Sequence, residues 1–133
     1  MDAVSEHISS PVKEIDCSAP IRMRVRIPVS DTSGTIATTS ARYKKPRGAT
    51  VTRNSAGKYT ITVPALSDVS VLTSLLESSG VARTVRTVSV ATSGSTTTIV
   101  ILVGLVADAP VAADLVTAAD EIEVTIFGDA KTI

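Results

Sequence analysis

Six acidic residues crowd the last quarter of the chain, Asp108, Asp114, Asp120, Glu121, Glu123 and Asp129, with no base among them. Carboxylates do two kinds of chemistry in such numbers, proton transfer and the binding of hard cations. The spacing argues against both. A calcium loop gathers several oxygen ligands within one short stretch, and the intervals here match no such pattern. Glycosidases set two acids across a cleft with separated pKa values, yet Tyr43, Tyr59 and Phe127 are the only aromatic residues available as a sugar platform. Glu121 and Glu123 fall two apart, on one face of a strand, where ion pairing or solvation is the ordinary role.

Other chemistry-bearing residues are as sparse. His7 is the single histidine and stands near the N-terminus, where chains tend to be mobile, so a Ser-His-Asp site would depend on it entirely. Cys17 is alone, which excludes an intrachain disulfide and a cysteine-based zinc cluster and leaves a small inert thiol or, second to it, an intermolecular bridge. Gly57-Lys58 resembles the end of a phosphate loop, but Thr52 occupies the position of its first glycine and Tyr59 replaces the metal-binding hydroxyl. These residues predict no catalytic group, no cofactor and no metal.

Charge distribution says more than net charge, which is zero from 13 bases and 13 acids. From Arg22 to Lys58 there are nine bases (Arg22, Arg24, Arg26, Arg42, Lys44, Lys45, Arg47, Arg53, Lys58) against Asp31 alone. Two arrangements satisfy this opposition. Complementary regions can join copies of the chain, with Arg42, Lys44, Lys45 and Arg47 meeting Asp114, Asp120 or Asp129 of a neighbour. Alternatively the charges neutralise each other inside one chain, the Arg22–Arg26 segment lying beside Glu121–Glu123.

The elements that position these groups follow from composition and period. The 133 residues suffice for one core and include 18 Val, 11 Ile, 18 Thr and 16 Ser, with 44% hydrophobic residues overall. Branching at Cβ suits a pleated surface. Residues 21–27 (IRMRVRI) alternate, with Ile21, Met23, Val25 and Ile27 on one face. Before them, 1–20 show no sustained period and predict an irregular N-terminal arm; its acidic start lacks the pattern of a secretory signal. The stretch from Asp31 to Ser40 is loop-like with a weak strand at Ile36, and Arg42 to Gly48 forms a basic linker. A hairpin follows, ATVTR and KYTITV about Asn54-Ser55-Ala56-Gly57, with Tyr59, Ile61 and Val63 inward. Leu66 to Ser79 fits a strand, or a helix capped by Asp68 that carries Leu72, Leu75 and Leu76; strand is preferred. The apolar phase shifts between Val85 and Val88, predicting a bulge. Thr96 to Val106 is a buried strand, and its apolar run, Ile99 to Ala107, is nine residues long where a membrane helix needs about twenty. A loop with Pro110 leads to Glu121–Phe127, where Ile122, Val124 and Ile126 point inward. The expected fold is all-β: an antiparallel, jelly-roll-like β-sandwich over residues 21–133, preceded by the arm.

The segment GATVTRNSAGKYTITV resembles a recurring hairpin of small virion proteins of tailed bacteriophages, carried by Val51, Thr52, Arg53, Gly57, Tyr59 and Thr60. The closing stretch ADLVTAADEIEVTIF resembles the end of such domains through Ala119, Asp120, Val124 and Phe127. The resemblance spans Gly48 to Phe127 and leaves out the arm and the basic linker. It implies a non-enzymatic structural protein of the virion, assembled in the host cytoplasm: a capsid decoration or head-surface protein bound to the major capsid protein or other virion proteins. Exposed sheet edges and opposite-signed regions in one chain predict a homo-oligomer, trimer before dimer, or else association through the arm of residues 1–20 with a neighbouring shell subunit; composition and the short apolar run disfavour nucleic acid and membrane as partners. The alternatives are a shell-forming coat protein with a basic face toward nucleic acid, and a receptor- or glycan-binding fibre module, for which Tyr43 alone offers a stacking surface.

Overall fold

The computed structural model describes residues 20–30, 34–78, 82–105 and 111–130. His7 and Cys17, the arm up to residue 19, Asp31, Ser79, Val81, Val106, Asp108 and Pro110 lie outside the described residues. Eight strands follow in order: β1 Pro20–Pro28, β2 Thr50–Ser55, β3 Lys58–Pro64, β4 Leu66–Leu76, β5 Arg83–Ser93, β6 Thr96–Leu105, β7 Val111–Ala112 and β8 Glu121–Ala130. They make two antiparallel sheets packed face to face, one ordered β1-β8-β4 and the other β2-β3-β6-β5 with β7 on β6. The expected all-β antiparallel sandwich is the fold.

Alternation builds the core. Val25 and Ile27 of β1, Tyr59, Ile61 and Val63 of β3, Ile99, Ile101 and Val103 of β6, and Ile122, Val124 and Ile126 of β8 are all buried. Ile21 and Met23 pack against the same cluster while partly exposed. Each buried Val or Ile contributes roughly 1.5–3 kcal/mol, so the inner rows of β6 and β8 dominate. Both strands are central in their sheets, with a neighbour on either side.

Leu66 to Leu76 is a strand throughout. Its helical spacing was an accident of apolar residues on both faces: Val69, Val71 and Leu75 turn toward the core, while Leu72 and Leu76 face outward. Beyond the register shift between Arg53 and Ser55 at the hairpin turn, two bulges interrupt the ladders among the described residues. One lies between Thr87 and Ser89, where the apolar phase shift predicts it. The other, between Ser67 and Ser70, has no sequence signal and holds Asp68 at φ 55°. Aspartate is among the few residues that enter this left-handed region readily. The segment after Pro110, expected as a loop, also contributes β7, which extends the sheet where β3 stops.

The chain passes from one sheet to the other at Ala65, and a threonine pair secures the crossing. The buried Thr97 hydroxyl accepts the Leu66 N–H at 2.9 Å and bonds Thr92 Oγ1 at 2.7 Å. Thr92 in turn donates to the Leu66 carbonyl at 3.0 Å.

Candidate functional site

Pairing of β1 with β8 sets Arg26 opposite Glu123 and Arg24 opposite Thr125 on the outer face of their sheet. Arg24 bonds Glu123 Oε2 through Nε at 3.0 Å and Nη2 at 2.5 Å. Arg26 reaches Glu123 at 3.1 Å and Glu121 at 3.0 Å. The Arg24 hydrogen bond, helped by that of Arg26, holds the Glu123 carboxyl below the usual glutamate range against the cost of burial. Arg22–Arg26 beside Glu121–Glu123 is the within-chain neutralisation of the two readings offered by the sequence.

Arg42 extends this network. Its guanidinium bonds Glu121 Oε1 at 2.5 Å and donates to the carbonyls of Ala118 at 2.8 Å and Ala119 at 3.3 Å, clasping the turn before β8. The backbone brings it there, because Lys44 exchanges hydrogen bonds with Arg26 at 2.8 and 3.1 Å along the free edge of β1.

Asp114 anchors a second cluster. It accepts from Arg53 Nε at 3.0 Å and Nη2 at 2.5 Å, and from the Gly57 N–H at 2.8 Å. Burial works against its ionisation, but the Arg53 and Gly57 bonds outweigh it and its pKa is lowered. Beside it the Tyr59 hydroxyl donates to the Gly34 carbonyl at 3.3 Å, and burial, reinforced by the Asp114 charge, pushes the phenol up to about 12. Asp120, fully buried, accepts from Ser78 N–H at 2.8 Å, Ser78 Oγ at 2.7 Å and Thr117 N–H at 3.3 Å. Burial again opposes ionisation, and the Ser78 and Thr117 bonds prevail to lower the pKa.

Within one chain the seven residues expected at a contact between copies do not pair with one another. Asp114 and Asp120 are engaged inside the chain. Arg42 is too, with Glu121 rather than with Asp114, Asp120 or Asp129. Lys45 donates to the Ala49 carbonyl at 2.8 Å. Lys44 and Arg47 keep exposed side chains, and Asp129 is half-buried in β8 opposite Pro20 and Ser67. Nothing in the sequence marked Arg53 and Gly57 as the partners of Asp114. Among the described residues no group of three His, Cys, Asp or Glu is placed to hold a metal ion.

Compared with protein-family models, curated proteins and solved structures, the chain matches none.

Proposed function

We propose that this chain is a non-enzymatic structural protein of a tailed-phage particle, a capsid decoration or head-surface subunit packed on the shell in repeated copies. The observation that carries this reading is the Asp114 cluster. Arg53 and Gly57 belong to the hairpin that resembles phage virion proteins, and Asp114 stands in the lead-in to the closing strand that resembles them too. The two elements are thus one mechanical unit, a hairpin tip bolted to the approach of β8. A rigid sandwich whose arginines and carboxylates tie its own margins together suits a repeated tile. Mass spectrometry of purified particles is expected to find the chain in many copies; its absence would overturn the reading.

One observation favours a second reading, a shell-forming coat protein that touches nucleic acid. Arg22, Lys44 and Arg47 are exposed and form no ion pair with the described residues. Expression with nuclease treatment separates the two, since a coat protein assembles shells alone and a decoration protein stays dispersed until capsids are added.

A further inference from the structure

β1 is an edge strand whose open side is covered along only part of its length. Arg26 exchanges backbone hydrogen bonds with Lys44 at 2.8 and 3.1 Å, and Val29 bridges Ile36. From Pro20 to Val25 no described residue pairs with that side. Backbone groups alternate in direction along a strand, so the N–H and C=O of Arg22 and Arg24 point out of the sheet as those of Arg26 do. Such an edge is a template for pairing unless it is covered.

The inner row of β1 shows where the cover stops. Val25 and Ile27 are fully buried, whereas Ile21 and Met23, which point into the same core, are only partly so. On the outer face Arg24 and Arg26 pair with Glu123. Arg22, opposite Phe127, is exposed and forms no ion pair with the described residues. The open side thus offers backbone groups, a half-covered apolar row and an unmatched cation together.

The chain that runs into β1 carries the complement. Glu14, Ile15, Asp16 and Cys17 stand just before it, outside the described residues, and alternate acid with apolar at the period of a strand. A three-residue loop, Ser18 to Pro20, is a usual hairpin length. It sets Cys17 opposite Ile21, Asp16 opposite Arg22, Ile15 opposite Met23 and Glu14 opposite Arg24. In this register the acids join the arginines on the outer face, and Ile15 and Cys17 cover the half-buried row. A slip of one residue would turn both acids toward the core. The segment ends short of the position that Lys44 takes, so the two covers fit end to end. A tether this short holds the segment at an effective concentration of about millimolar or more, which favours its own β1 over that of a copy.

We propose that residues 14–17 form a further strand on the open side of β1 in the same chain, with Asp16 beside Arg22 and Ile15 beside Met23. The inference goes beyond the virion reading and does not depend on it.

Amide exchange followed by NMR in the full chain tests it, with the Arg22 and Arg24 amides expected to be protected. Removing residues 1–17 is expected to speed their exchange about a hundredfold, while the Met23 amide, paired with Ile126 of β8, changes by less than about threefold. Arg22→Glu sets like charges together and is expected to lower the protection about threefold, and adding Asp16→Arg to restore it. In a Cys17→Ser background, Ile15→Cys with Met23→Cys is expected to close an intrachain disulfide, because residues opposed at a non-hydrogen-bonded position stand about 4.5 Å apart. Fast exchange at Arg22 and Arg24 in the full chain overturns the proposal, as does a double-cysteine chain that stays reduced under oxidant. A link between two chains assigns the segment to a neighbouring copy and also overturns it.

Discussion

Asp114 accepts the backbone N–H of Gly57 at 2.8 Å, fixing the tip of the β2–β3 hairpin to the segment that leads toward β8. Arg53 joins the same carboxylate, but its side chain is 36% exposed, so that ion pair is worth little by itself. Replacing Asp114 with Ala removes both partners and is expected to destabilise by about 1–3 kcal/mol. Asp114→Asn retains an acceptor for Gly57 and is expected to cost less than half as much. Urea unfolding of both variants checks the order; equal losses would assign the effect to the Arg53 charge.

Gly57 itself is held at φ 69°, and a Cβ there would enter the Val103 carbonyl and stand 2.8 Å from Ala113 N. Gly94 has a similar φ of 59°, but a Cβ there meets nothing within 4 Å. Alanine at Gly94 is expected to cost about 1–2 kcal/mol from backbone strain alone. Alanine at Gly57 is expected to cost clearly more, because β7 must also shift. Comparing the two melting temperatures tests whether the close approach or the left-handed conformation dominates.

Thr97→Val keeps the shape of a buried side chain and removes the acceptor of the Leu66 N–H and the partner of Thr92. An unsatisfied buried donor costs about 1–3 kcal/mol. Thr98→Val, one residue on and half-buried on the outer face of β6, is expected to change stability by less than about 0.5 kcal/mol. Denaturation midpoints separate them.

Acid should unfold the protein through Asp114, Asp120 and Glu123. All three have folded-state pKa values below their ordinary ones. Depressed values mean that their stabilisation is fully present above the unfolded pKa values, about 3.9 for Asp and 4.3 for Glu. It is then lost as pH falls through the lower folded values. Stability is expected to be flat from pH 7 to about 5 and to decline below about 4, with a shallower decline in Asp114→Asn. Thermal unfolding across that range tests the sign.

The strands were legible where one face is buried and the other wet. Residues 21–27 and 121–127 alternate apolar and polar side chains, and the phase slip before Val88 marks its bulge. Leu66–Leu76 was ambiguous because Leu72 and Leu76 put apolar groups on its outer face as well. The charged partners were less legible for a different reason. Arg24 and Glu123 stand 99 residues apart, and only the pairing of β1 with β8 joins them. The Asp68 bulge, β7 and the Gly57 contact of Asp114 likewise depend on backbone geometry set by distant strands, which local period does not encode.

The central place of β8 has a consequence for how the protein is made. A ribosome delivers β1 first and β4 midway, yet neither has a partner in its sheet until β8 enters between them. During synthesis the β2-β3-β6-β5 sheet can form from near neighbours, while β1 and β4 wait with apolar rows uncovered. Joining strands so far apart in sequence is slow, and uncovered strands are prone to aggregate meanwhile.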